Sequence, residues 1–184
     1  ATGSPMKNYP EIRNEELLLL GLCRLSFTPG QTGRLRTLAL SQCDWDYFVR
    51  LANEHGIAAL VHHNITNHGL ADLIPPDHVS VLRNAHLISI SRNAFHLSAA
   101  EELLALLRKE NIKSVLLKGL ALELTVYGNS GLRQMTDVDL LIGRSDYIVA
   151  RNLLMGSGYD SQEVKSGFHK PIIEWTGKHL PSLM

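Results

Sequence analysis

The stretches SVLLKG (residues 114–119) and TDVDLLI (residues 136–142) decide the fold of this chain. Each contains a short apolar run bounded by polar or glycine residues, which is typical of a buried strand. We therefore predict strands at Ser114–Leu117 and Val138–Ile142. The residues between them favour a helix. This alternation predicts a small mixed sheet with flanking helices, and so an α/β (α+β) fold class.

The second stretch carries two acidic residues at its start, Asp137 and Asp139. Because side chains alternate along a strand, both carboxylates would lie on one face. At a separation of about 5 Å and an effective dielectric constant near 20, they would repel each other by roughly 3 kcal/mol. A divalent cation with oxygen ligands would relieve that repulsion. The structural alternative is that one aspartate caps a turn and the other faces solvent.

The first stretch ends in Lys118 and Gly119, where the predicted strand gives way to a helix. Backbone N–H groups at a helix start are unsatisfied and partly positive, so such a junction can bind phosphate oxygens. Gly119 would allow a ligand to approach the backbone, and Lys118 would add a positive charge. Taken alone, a Lys-Gly pair after a strand is more often an ordinary turn than a phosphate-binding site.

The chain before the first strand is predicted to be a helical bundle. Helices are expected at Glu15–Leu25, Asp44–His55, Ile57–His68, Asp77–Lys109, Gly119–Tyr127 and, capped by Ser145, from there to the stop at Gly156-Ser157-Gly158. In the longest helix we expect Asp77 as the N-cap, a break near Ser98 and an apolar face of Val79, Leu82, His86, Ile90, Ala94, Leu97, Leu104 and Leu107. Tyr159–Val164 is a candidate third strand.

These elements predict a division into three parts. Residues 1–5 resemble an expression scar before Met6, residues 6–110 form a helical region, and residues 111–184 form the α/β part. The chain ends in an ordinary mixture of apolar and polar residues, KHLPSLM, which predicts truncation at the C-terminus.

Composition narrows the function classes. The chain has 184 residues, 45% of them hydrophobic, and 18 basic against 18 acidic side chains. Without a net positive field, general nucleic-acid binding is disfavoured. Cys23 and Cys43 have no Cys-x-x-Cys spacing, which favours a reducing, cytoplasmic setting. No apolar run approaches the roughly 18 to 20 residues of a membrane span, so no membrane association is predicted.

The order of these motifs resembles the DNA polymerase β-like nucleotidyltransferase superfamily. Within it, the chain is similar to an uncharacterised bacterial nucleotidyltransferase group with a Leu-Lys-Gly motif. The matching segments are LLKGLAL (116–122), VYG (126–128), GLRQMTDVDLLI (131–142) and, in the helical half, DWD (44–46) and ANEHGI (52–57).

The resemblance implies specific roles. Asp137 and Asp139 would be catalytic and would bind Mg²⁺ (or Mn²⁺), with an NTP as substrate. Gly119 would contact the triphosphate, and Lys118 and Arg133 would add cationic contacts. For Arg133 the alternative is a surface ion pair with one of the aspartates. The acceptor would be a small molecule, a protein or a tRNA.

The chain departs from the superfamily pattern in two places. Leu120 stands where the superfamily has Gly or Ser after its glycine. A third carboxylate is also expected on a later strand: Glu174 is the candidate within this chain, Glu163 is a weaker one, and we expect the true position to lie beyond Met184. The alternative function is therefore a catalytically incomplete nucleotide-binding or protein-interaction module.

Overall fold

The computed structural model describes residues 11–128 and 131–160. Helices predominate in these ranges, and the described strands form one antiparallel pair, so the protein is a helix-rich α+β protein. The helices are α1 (Asn14–Leu22), α2 (Pro29–Leu40), α3 (Trp45–Glu54), α4 (Ala58–Asn67), α5 (Pro76–Lys109), α6 (Lys118–Leu122) and α7 (Tyr147–Gly156). The strands are β1 (Ser114–Leu116) and β2 (Leu140–Ile142), and a π-helical turn, Glu123–Tyr127, continues α6.

Four helices end at a residue in the left-handed backbone region. These residues are Gly56, Gly69, Asn111 and Gly158, with φ between +57° and +98°. In each case the next N–H returns to the carbonyl five residues earlier, for example Leu70 to Ile65 at 2.8 Å. This is the Schellman arrangement, which satisfies carbonyls that a helix end leaves free. The predicted stops at these positions are confirmed.

The N-terminal helices pack around one apolar cluster. Helix α3 contributes Phe48, which is fully buried and meets the Trp45 ring edge-on at 5.5 Å between centroids. Its other fully or almost fully buried members include Leu18, Leu22, Val61, Ile65, Leu70 and Leu82. Trp45 and Phe48 are therefore packing residues.

The chain divides into two compact units. One consists of residues up to His96 together with Lys118–Asp137, and the other of Leu97–Leu117 together with the residues from Val138 onward. In the second unit, β1 and β2 pair with Leu116 opposite Leu140. Leu140 and Ile142 of β2 pack against the buried side chains Leu107, Ile112 and Ala150. The domain boundary at residue 110 stays a prediction, because a compact unit need not be an independently folding domain.

Several element boundaries differ from the sequence prediction. Helix α5 begins at Pro76, so Asp77 lies in its first turn and is not the N-cap. The expected break near Ser98 is wrong, because α5 is continuous. Asp146, not Ser145, is the N-cap of α7. Strand β2 begins at Leu140, so both aspartates precede it, and most of the candidate strand Tyr159–Val164 lies outside the described residues.

The middle of α5 buries a different face from the predicted one. Ser89 and Asn93 are buried there, whereas Ile90, 38% exposed, is not. Polar residues therefore replace apolar ones on the packed face, and Asn93 does so where α5 meets the loop at residues 131–133. None of the helices in the described ranges, α5 included, is both long and apolar enough to span a membrane.

Candidate functional site

Backbone pairing connects Asp139 to the end of β1. The Leu117 N–H donates to the Asp139 carbonyl at 2.9 Å, which continues the ladder one residue beyond the Leu116–Leu140 pair. Lys118 and Gly119 follow Leu117 directly in the chain. The ladder therefore ends at the residue that precedes the predicted phosphate-binding junction.

Lys118 has an uncommon backbone conformation. It begins α6 with φ at +46°, in the left-handed region, and its side chain is exposed. A left-handed conformation is easy for glycine but costs free energy for a residue with a Cβ. Such strain concentrates at functional sites, where the surrounding structure enforces it.

Gly119 is buried against the side chain of Arg133. A Cβ placed on Gly119 would lie 2.7 Å from Arg133 Nη1 and 3.3 Å from Met135 Cγ. Any side chain at this position would therefore displace the guanidinium group. The structure thus brings together two of the predicted nucleotide-binding residues, Gly119 and Arg133.

Two buried polar residues hold the loop that carries Arg133. Glu123 Oε1 accepts a hydrogen bond from the Gly131 N–H, and Asn93 Nδ2 donates to the Arg133 carbonyl, both at 2.8 Å. Gly131 has φ at +106°, and a Cβ there would lie 2.4 Å from Ile90 Cγ1. Only glycine therefore fits where the loop meets the middle of α5.

The carboxyl group of Glu123 is almost fully removed from water. Burial raises the pKa of Glu123, while the bond from Gly131, the Asn93 side chain and the Arg133 charge act in the opposite direction. Its second oxygen, Oε2, and Asn93 Oδ1 are both buried without a hydrogen-bond partner. Burial favours the neutral form because removing a carboxylate from water penalises its charge.

Neither residue was identified from the sequence. Glu123 has leucine on both sides within a predicted helix, and Asn93 interrupts the apolar spacing of α5. An acidic residue flanked by leucines is a weak signal of a buried carboxyl group. The loop that makes these residues necessary lies far along the chain from Asn93.

The two predicted metal ligands differ in exposure. Asp137 is exposed and ends the segment 118–137 of the first unit, whereas Asp139 is half-buried and belongs to the second. Thr136 Oγ1 lies 3.5 Å from Asp137 Oδ1. Both aspartates offer carboxylate oxygens, the ligands that Mg²⁺ and Mn²⁺ prefer, so their chemistry fits such an ion.

The predicted third carboxylate has two candidates within this chain. Glu174 and Glu163 both lie outside the described residues, so they remain candidates. In the part of the chain that is described, no three His, Cys, Asp or Glu side chains are grouped so that they could hold a metal ion.

Comparison with known protein families gives a match over most of the chain. A family described as uncharacterised nucleotidyltransferase matches residues 41–180, which is more than half of the chain. The matched range contains the Lys118–Gly119 junction, Arg133, both aspartates and Glu174. No curated protein and no solved structure matches the chain.

Proposed function

Because the chain belongs to the uncharacterised nucleotidyltransferase family, we propose that it transfers a nucleoside monophosphate from an NTP to an acceptor hydroxyl and releases pyrophosphate. The reaction would depend on Mg²⁺ (or Mn²⁺) held by Asp137 and Asp139. Bound there, the ion would supply positive charge to the triphosphate. Family membership supports nucleotidyl transfer in general, and the aspartate pair is the basis for proposing a metal.

Arg133, Lys118 and Gly119 would bind the phosphates. A guanidinium group offers five N–H donors in a plane and suits phosphate oxygens, whereas the Lys118 ammonium acts as a point charge. The contact between Arg133 and Gly119 places the guanidinium group beside the backbone of α6. A phosphate near Gly119 would therefore find side-chain donors there.

The pairing between the end of β1 and the acidic segment is the observation that most supports the proposal. The hydrogen bond from Leu117 to the Asp139 carbonyl ends the ladder directly before Lys118 and Gly119 in the chain. The two motifs that the family match contains are thus connected through a defined strand register.

Titration calorimetry of each NTP with and without Mg²⁺ tests the proposal. We expect Mg²⁺-dependent binding that falls at least tenfold, or about 1.4 kcal/mol, in Asp137→Asn and in Asp139→Asn. Asp72→Asn, which alters an exposed carboxylate in the helical region, is the matched control and should bind normally. If the NTP does not bind, or if the aspartate variants bind as the wild type does, the proposal is wrong.

Turnover separates the enzyme from the alternative module. Incubation with each NTP and candidate acceptors, followed by mass spectrometry, should reveal an acceptor heavier by one nucleoside monophosphate and free pyrophosphate. Small molecules, proteins and tRNA are tested in parallel. Mg²⁺-dependent binding without any product would favour a nucleotide-binding or protein-interaction module.

A further inference from the structure

A buried polar pair supports the loop at Gly131–Arg133. Asn93 on α5 is completely buried and Glu123, directly after α6, is 3% exposed. Each uses one side-chain atom to bond the loop backbone at 2.8 Å, Glu123 to the Gly131 N–H and Asn93 to the Arg133 carbonyl. Buried polar groups are costly unless they are paired, so residues that hydrogen-bond a loop from inside a fold restrict its conformation strongly.

The loop has little freedom to move between these two bonds. Gly131 packs so closely on α5 that a Cβ would lie 3.0 Å from the Ile90 Cα. The backbone of Arg133 is held by Asn93, while its guanidinium group lies against Gly119. The segment then continues through the buried Met135 to Asp137. The hydrogen bonds and contacts that hold Gly131 and the backbone of Arg133 therefore also fix the position of the Arg133 side chain.

We infer that Asn93 and Glu123 are positioning residues for nucleotidyl transfer, which hold the Gly131–Arg133 loop so that the Arg133 guanidinium group remains beside Gly119. This inference rests on the proposed function, since it assigns the two residues a part in binding the triphosphate. Neither side chain touches the substrate in this arrangement. Both act through Arg133.

The carboxyl group of Glu123 should make nucleotide affinity depend on pH, which a residue that only fills space would not do. Arg133 is the charged group that faces it from the loop, and Asn93 faces it from α5. Because burial raises the pKa of Glu123, raising the pH through that pKa ionises a carboxyl group that the fold holds best when it is neutral. Nucleotide affinity should therefore weaken as the pH rises through that pKa.

The experiment compares NTP affinity and the split between kcat and KM in four variants. Glu123→Ala and Asn93→Ala should weaken Mg²⁺-dependent NTP binding at least tenfold, seen mainly in KM. Glu123→Gln keeps the acceptor for Gly131 and adds a neutral donor, so it should bind within about threefold of the wild type and should not lose affinity as the pH rises. Asn84→Ala, at an exposed asparagine of the same helix, is the control and should bind normally.

Hydrogen exchange at the Gly131 amide provides a measurement on the wild-type fold. It should be slow in the wild type and in Glu123→Gln, and fast in Glu123→Ala. If Asp137→Asn abolishes NTP binding while Glu123→Ala and Asn93→Ala bind normally, this inference alone is overturned. If the wild type binds no NTP, the proposed function fails and this inference fails with it. If Glu123→Gln is as weak as Glu123→Ala, positioning by this hydrogen bond is refuted.

Discussion

The left-handed backbone conformation of Lys118 costs free energy that a glycine at the same position would avoid. With φ at +46°, its Cβ crowds the backbone. Lys118→Gly and Lys118→Ala both remove the amino group, but only glycine relieves the crowding. We expect the free energy of unfolding of Lys118→Gly to exceed that of Lys118→Ala by about 1 kcal/mol, measured by urea denaturation.

Asn111 provides the matched comparison outside the candidate site. Its φ is +57° at the end of α5, so Asn111→Gly should likewise exceed Asn111→Ala in stability. Suppose that the glycine variant is the more stable one at both positions while only the Lys118 variants lose NTP binding. That result would show that the strained lysine serves NTP binding through its charge. Equal stability of the two Lys118 variants would mean that α6 begins in another conformation.

At the residue scale, the sequence indicated which side chains to examine but not which of them touch. Gly119 and Arg133 are separated by a helix and a loop, so no local spacing predicts that a Cβ on Gly119 would meet Arg133 Nη1. Lys118 was singled out for its charge, while its left-handed backbone gives no signal in the sequence. Buried helix positions are recognised in a sequence by apolar residues at helical spacing. Asn93 and Glu123 are polar, and they are buried because they hydrogen-bond the loop, so this spacing does not identify them.

At the scale of elements, the C-terminal ends of helices are predicted better than helix starts or helix faces. Glycine and asparagine mark left-handed stops because their φ preference is local. The face of α5 is decided by a distant segment, which buries Asn93 and leaves Ile90 partly exposed. Helix α2 was missed because Gly30 and Gly33 lower its propensity, although Thr28 and Gln31 form a capping box at its start.

Two glycines test this distinction between ends and interiors. Gly69 has φ at +63° after α4, and a Cβ there would meet nothing closer than Arg36 Nη2 at 3.8 Å. Gly69→Ala should therefore lower the free energy of unfolding by about 1 kcal/mol through backbone strain alone. Gly33→Ala, inside α2 with open space around its Cβ, should raise it by about 0.5 to 1 kcal/mol.

Thermal and urea denaturation of both variants decide the outcome. Because neither substitution creates a steric clash, opposite signs isolate the effect of backbone conformation. Destabilisation by both would show that α2 does not tolerate a methyl group at Gly33, and would contradict the helix bounds Pro29–Leu40.

At the scale of the whole molecule, stability should depend on pH through titratable groups that the helical part removes partly or fully from water. His62 on α4 and His86 on α5 lie 3.0 Å apart, Nδ1 to Nδ1, so one nitrogen must donate and the other accept. Burial lowers the pKa of both, and for His62 the neighbouring His86, Arg83 and His63 lower it further. Protonating both rings would place an N–H group on each side of this contact and would therefore break the hydrogen bond.

The sign of the effect follows from proton uptake on unfolding. A histidine whose pKa is lowered in the folded state contributes stability above its unfolded value of 6.5, and that stability is lost as the pH falls through the folded pKa. Glu15 adds a second step in the same direction below 4.5, because the hydrogen bond from the Asp44 N–H lowers its pKa. Glu123 opposes both, since its raised pKa makes the fold less stable as the pH rises above 4.5.

His86→Asn isolates the histidine step. Asparagine places a polar atom near the position of Nδ1, so it can still bond His62 but does not titrate. We expect the free energy of unfolding of the wild type to fall between pH 7.5 and pH 5, and that of His86→Asn to fall less. His55→Asn, at an exposed histidine after α3, should keep the wild-type slope. If the free energy of unfolding changes with pH equally in all three proteins, the histidine pair does not couple α4 to α5 through a shared proton. The pH dependence would then have to arise from the carboxylates.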